Sequence, residues 1–302
     1  MPMLNTLSLD RLLFPNIAAG RARYMVYSRS QLTERTRLGD DADRRDFFYY
    51  LLKARDPETG QGFTTPELWG ESNLLIIAGS DTTSTALAAT LFYLARSPGP
   101  LGRLQEEVRS KFADVEEIRQ GPLLSSCAYL RACIDEAMRM SPSVGGLLPR
   151  EVLSGGMSID GVHVPAGVVV GVPHYTIHHN AEYYPRPFTY LPERWLAGSK
   201  YSSGDDVVGE MDGAAAQAAF CPFSIGPRGC IGKGLAYVEM MTALARTVFL
   251  YDMRRAVGVM DTAEGKPGAE WGRHRQDELQ LVDTFTSWKE GVMVDFRRRD
   301  GI

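Results

Sequence analysis

Cysteine is scarce in this 302-residue chain: there are four, Cys127, Cys133, Cys221 and Cys230, and no two have C-x-x-C spacing. That excludes a zinc ribbon or a dithiol redox centre, and it makes a disulfide framework a poor explanation of the fold. An excess of basic charge is lacking too. The formal net charge is -4, so no broad positive field draws nucleic acid. Apolar runs are short, none reads as long enough to cross a bilayer, and the first residues lack the continuous apolar segment of a signal peptide. The expectation is a soluble or peripherally attached protein. There is no internal repeat and no low-complexity tract. What is plentiful is core-forming material: 44% of residues are hydrophobic, with 12 Phe, 13 Tyr and 12 Met, enough for a large core with apolar pockets.

The pattern of residues predicts a mainly α chain with a small β subdomain, an α+β fold, organised as a single domain over residues 1–302. Residues 7–53 read as mostly helical until Asp56-Pro57-Glu58-Thr59-Gly60 breaks the pattern. Thr65 can then cap a helix with Pro66 at its first position and Glu67 in its first turn. That helix runs over residues 66–96, about 45 Å at 1.5 Å per residue. Its middle, Leu74 to Ala78, is apolar all round, which predicts passage through the protein centre. Gly79-Ser80-Asp81-Thr82-Thr83 comes directly after it, and polar groups in a buried helix need partners. Such a breach of local rules marks a functional site. Further helices are expected at 102–113, 129–140 and 231–250. Residues 152–173 read as a small sheet, 197–215 and 260–276 as exposed loops, and 278–296 as a closing hairpin.

The most informative stretch is Phe223-Ser224-Ile225-Gly226-Pro227-Arg228-Gly229-Cys230-Ile231-Gly232, a glycine-rich loop that delivers one cysteine to a helix N-terminus. A thiolate ligand needs its charge stabilised, which loop N–H groups and the positive end of the helix dipole provide. Gly226 and Gly232 present no side chain, so a flat cofactor can approach the backbone. Arg228 is placed to pair with a carboxylate at the edge of such a cofactor. A lone cysteine is more often a buried structural thiol, but the combined spacing F-x-x-G-x-R-x-C-x-G is far more specific than any one residue.

This spacing resembles the haem-binding loop of the cytochrome P450 family, whose Cys-thiolate haem ligation is a known type. Glu136 and Arg139 then match the family's helix K motif E-x-x-R, and Pro192-Glu193-Arg194-Trp195 resembles its P-E-R-F segment. The resemblance implies a buried, structural cluster of Glu136, Arg139 and Arg194. Ala78-Gly79-Ser80-Asp81-Thr82-Thr83 is similar to the oxygen-binding helix motif, with Gly79 opening space and Asp81 and Thr82 handling protons. Arg150 stands where the family has a cation for a haem propionate. His178-His179-Asn180 resembles an H-R-D/N turn, with His179 replacing the usual arginine, and none of the five histidines is expected to bind iron.

The resemblance implies a P450-like fold with haem b (iron protoporphyrin IX) as cofactor and Cys230 as axial iron ligand. Phe223, Gly226, Arg228, Gly232, Gly79 and Arg150 form the cofactor surroundings; Asp81 and Thr82 are the catalytic residues. It further implies O2 and a small organic molecule as substrates, with an NADPH-dependent cytochrome P450 reductase as electron donor. Residues 144–148 and 284–287 are expected as pocket walls. Local texture resembles the fungal branch that tailors secondary metabolites, whose members are usually anchored at the endoplasmic reticulum, although no anchor is recognised in this chain. The match covers only the family's C-terminal portion, so an N-terminally truncated fold is expected. Two readings stand, a working monooxygenase or a truncated, non-catalytic haem-binding remnant, and the intact Asp81, Thr82, Arg228 and Cys230 favour the first.

Overall fold

The computed structural model describes residues 15–38, 45–196, 202–203, 206–207, 213–259 and 261–299. The chain divides into two units, residues 1–79 and 80–302. The first contains α1 (Pro15–Leu38), α2 (Phe47–Lys53) and the start of α3 (Thr65–Arg96). Asp46 caps α2 by accepting the Tyr49 N–H at 3.0 Å, and Arg35 of α1 grips the same carboxylate through Nε and Nη2, both at 3.0 Å. Tyr24 and Ser28 of α1 both donate to the Asn73 side-chain oxygen on α3. Residues 7–14 and 39–44 of the helical stretch expected over 7–53 lie outside the described residues.

Several expectations about α3 need correction. Its cap is Thr64, not Thr65: Glu67 Oε2 accepts the Thr64 N–H at 2.7 Å, and the Glu67 N–H points back to Thr64 Oγ1 at 3.5 Å, the reciprocal geometry of a capping box. Residues 74–78 do not pass through a buried centre, since Leu74, Ile76 and Ile77 are 59%, 55% and 50% exposed. An apolar circumference permits burial, but neighbours must supply it. In the second unit the same helix is buried at Thr85, Ala86, Ala89, Thr90, Phe92, Tyr93 and Leu94. Among the described residues α3 is also the one helix long and apolar enough to cross a bilayer, with a mean hydropathy of 1.3 over 18 residues, a test that core helices pass as well. Sequence inspection passes over this run because Gly, Ser and Thr interrupt it without lowering its average much.

The second unit is built on amphipathic helices. α4 (Pro98–Lys111) begins at the Ser97-Pro98-Gly99-Pro100 stretch that reads as a break, because proline is tolerated in a first turn, where no intrahelical N–H bond is needed. Leu101, Leu104 and Val108 form its buried stripe. After the short α5 (Pro122–Ser125), α6 (Ala128–Met140) is buried almost throughout. The expected 152–173 sheet is two separate ladders: β1 (Arg150–Glu151) pairs with β4 (Val169–Val170), and β2 (Met157–Ile159) pairs with β3 (Val162–Val164). Asp160 and Gly161, at φ 48° and 77°, close the β2–β3 hairpin in the left-handed geometry that its two-residue turn requires.

Next come α7 (His174–His178) and a single-turn 3₁₀ helix at Pro192–Trp195. Most of 197–215 lies outside the described residues, but β5 (Ser202–Ser203) pairs with β6 (Asp206–Val207), and α8 (Gly213–Ala219) opens where a loop is expected. α9 (Lys233–Leu250) buries Tyr237, Met240, Met241, Leu244, Ala245, Val248 and Phe249, one stripe at helical spacing. Over 278–296 the expected single hairpin is not formed. β8 (Val282–Thr284) and β9 (Thr286–Trp288) make a short one, while β10 (Val294–Arg298) pairs antiparallel with β7 (Tyr251–Arg255). Positive φ at Gly291 and Val292 redirects the chain between the two. Ala86 to Leu94 of α3, with α4, α6 and α9, share one hydrophobic core.

Candidate functional site

The cysteine loop is held from its first residue. The Cys230 N–H donates to the Phe223 carbonyl at 2.8 Å and the Gly229 N–H to the Gly226 carbonyl at 2.9 Å, folding residues 223–230 into a closed turn. Ser224 and Gly226 sit at φ 57° and 70°, and at Gly226 only glycine adopts this without strain. A Cβ on Gly229 would meet the Gly226 carbonyl at 3.1 Å, a tight contact inside the turn. Cys230 emerges exposed two residues before the Gly232 cap of α9. The free N–H groups of that first turn present positive potential to the sulfur.

Among the described residues no group of three or more His, Cys, Asp or Glu could hold a bare metal ion. One exposed sulfur at a helix N-terminus suits instead a group that brings the rest of its own ligands. Ile225 and Ile231, 74% and 95% exposed beside it, offer apolar surface to a flat partner. Arg228 is exposed in the 3₁₀ turn Gly226–Arg228. Haem fits this donor set and cradle.

Asp81 and Thr82 lie half-buried on α3, which is continuous α-helix through this motif. Three neighbouring hydroxyls act on the backbone here: Ser84 and Thr85 donate to the Asp81 carbonyl, both at 2.9 Å, and Ser143 donates to the Thr82 carbonyl at 2.7 Å. Hydroxyls bonding back onto helix carbonyls tilt them outward and bend the helix. Ser143 in turn accepts the Ser287 N–H through its carbonyl at 2.8 Å, and Lys289 donates to Thr85 Oγ1 at 2.9 Å. The two segments expected as pocket walls are thereby neighbours: Ser143 meets Ser287, and Asp283 lies against Gly146. Ser143, Thr85 and Lys289 escape a sequence reading because their partners are 61 to 204 residues away.

Arg150 lies exposed on β1 with its guanidinium on the Pro149 carbonyl at 2.9 Å. Gly79 belongs to the first unit, and a Cβ there would meet nothing within 4 Å. Gly232 is not a tight spot, since a Cβ would stand 3.8 Å from the Cys230 sulfur. The Glu136 cluster is assembled in full. Arg139 binds Glu136 through Nε and Nη2 and Arg194 through Nε, all at 2.9 Å, with all three side chains buried. The Leu191 N–H and the Trp195 indole complete it, both at 3.0 Å. Burial alone would raise the Glu136 carboxyl; Arg139 and Arg194 outweigh it and hold it below the ordinary carboxylate range. Arg139 also reaches the His178 carbonyl at 2.8 Å, locking the segment before the cysteine loop to α6.

Among known proteins, the cytochrome P450 monooxygenase AKT7 of Alternaria alternata is 44% identical over 292 residues, covering 96% of this chain and 55% of that protein. The cytochrome P450 monooxygenase apf7 of Gibberella fujikuroi is 44% identical over 308 residues, with 99% and 56% covered. The chain therefore spans about half the length of these two relatives. The solved structure of retinoic acid-bound cyanobacterial CYP120A1 matches with a TM-score of 0.73 at 23% identity, over 93% of this chain and 57% of that one, and shows the same fold. The family profile described as cytochrome P450 matches residues 20–267, from within α1 to beyond the cysteine loop and α9. A match of that extent, on a fold shared with a solved member, establishes that this chain belongs to the cytochrome P450 family.

Proposed function

We propose that the chain carries haem b on Cys230 and works as a monooxygenase that places one oxygen atom from O2 into a small organic substrate in fungal secondary metabolism. An exposed thiol, fixed by the Phe223 carbonyl and aimed from a helix N-terminus, is the observation that carries this reading. Haem, when bound, supplies the redox chemistry that activates dioxygen, with electrons from an NADPH-dependent cytochrome P450 reductase. The Cys230 sulfur, beside the positive end of the α9 dipole and the loop N–H groups, would donate negative charge to the bound group. Arg228 and Arg150 pair with carboxylates at the cofactor edge, while Phe223, Gly226 and Gly232 shape the face that receives it. From α3, Asp81 and the Thr82 hydroxyl would relay protons to the reacting oxygen. Residues 144–148 and 284–287 set how the substrate lies, which decides where it is oxidised.

Loading the protein with haem, reducing it and adding carbon monoxide should give the red-shifted band of thiolate ligation. Cys230→Ser should lose that band while keeping the fold. The same band in the serine variant would assign the ligand elsewhere. A thiolate band with no product from any substrate and reductase would leave the non-catalytic haem-binding reading in its place.

A further inference from the structure

Beside the Glu136 cluster, α6 carries a second buried carboxylate, Asp135, that the structural role of E-x-x-R does not use. Tyr237 of α9 donates its hydroxyl to Asp135 Oδ1 at 2.7 Å. Arg131, one turn earlier on α6, binds both Asp135 oxygens through Nε at 3.0 and 2.8 Å. Its guanidinium also lies 3.3 Å over the Tyr237 ring centroid. The three groups close on one another: the carboxylate holds phenol and guanidinium, and the guanidinium caps the ring. Such a closed set fixes the ring in position as well as in angle.

Tyr237 then touches the cysteine loop. Its ring packs on Phe223 with centroids 5.1 Å apart at 48°, and Phe223 supplies the carbonyl that accepts the Cys230 N–H at 2.8 Å. The next residue, Ser224, holds φ 57°, a conformation that relaxes unless its surroundings enforce it. The Ser224 N–H donates to the Cys221 carbonyl at 2.9 Å on its other side. A cavity of about 270 Å³ lies along Phe223, Ser224 and Ile225, bounded by Arg131, Asp135 and Tyr237, so the loop is not wedged from that side.

We propose that Tyr237, fixed by Asp135 and Arg131, is a positioning residue that holds Phe223 and through it the Cys230 sulfur in ligating geometry. The inference rests on Cys230 being the haem ligand. Its test uses the haem-loaded chain with Tyr237→Phe, which removes only the phenol oxygen, and Asp135→Asn, which keeps the side-chain shape. Two readings are taken: the rate of haem transfer to excess apomyoglobin, and the share of the reduced carbon monoxide complex that shows the thiolate band. Supporting contacts around a metal ligand commonly change affinity by 10–100-fold, so both variants should lose haem roughly tenfold faster and show a smaller thiolate share.

A lowered melting temperature with haem loss and band unchanged would make the group merely structural and overturn the proposal. Should either variant fail to fold, Arg131→Lys keeps the charge but loses the ring contact, and unaltered haem retention there overturns it equally. If the unaltered chain itself shows no thiolate band, the failure lies with the ligand assignment and is visible before any variant is made.

Discussion

Glu136 accepts from two guanidiniums, one indole and one backbone amide without a surface to share with water. Desolvating a carboxylate is expensive, and only this complete set of donors compensates for it. Glu136→Gln keeps the volume but leaves Arg139 and Arg194 buried without a counter-charge. Removing one partner of a buried ion pair commonly costs about 3–5 kcal/mol, and urea unfolding should register a loss of that order. A loss under about 1 kcal/mol would mean that the arginines are compensated elsewhere. The spacing E-x-x-R and the P-E-R-W segment disclose the three charged members from sequence. Trp195 and the Leu191 amide are not legible there, because motif spacing says which residues share a helix face but nothing about what a folded-back segment contributes. The same holds for Asp135 and Tyr237, which are 102 residues apart.

At the scale of elements, the helices with clear stripes are readable from sequence, α6 and α9 almost to their ends. The errors have physical sources. Proline at a helix start looks like a break, and a continuous apolar run does not identify its neighbours. A strand's alternation does not choose between nearby and distant partners, so the sequence alone puts β10 in the wrong ladder. The cysteine loop is legible because its glycines and its cysteine are close in sequence. Two glycines a few residues apart there should respond oppositely to alanine. At Gly226 nothing crowds an added Cβ, but φ 70° imposes a left-handed strain of about 1–2 kcal/mol, so Gly226→Ala should lower the melting temperature. At Gly234, in the first turn of α9 with open space around it, Gly234→Ala removes unfolded-chain freedom and should stabilise by about 0.5–1 kcal/mol. Equal shifts of the same sign would refute this account of the loop.

For the whole molecule, acid is the sensitive direction. Burial, with His174 and Arg139 adding, pushes His178 down to about 3, and burial with Arg139 pushes His179 down to about 4. The Cys221 N–H donating to His178 Nε2 at 3.1 Å agrees with a neutral ring. In the unfolded chain both rings take up a proton near their ordinary 6.5, so the unfolded state binds more protons and stability falls as pH drops from about 6.5 towards 4. At pH 5 the cost is on the order of 2 kcal/mol per ring. Asp135, whose carboxyl is pushed up by burial, works the other way. Melting curves from pH 7.5 to 5 should show the decline, and His179→Gln should flatten it. A flat profile in the unaltered chain would mean that water reaches both rings.

The openness of Cys230 also bears on how the material is kept. Cys127 and Cys133 are shut inside the core, whereas the sulfur on the loop stands at the surface. Exposed in this way, that atom is open to disulfide formation between two molecules in air, and a macrocycle bound there as proposed would close off the same reaction. Preparations stored empty would therefore drift towards oxidised pairs, and haem bound as proposed would slow that drift.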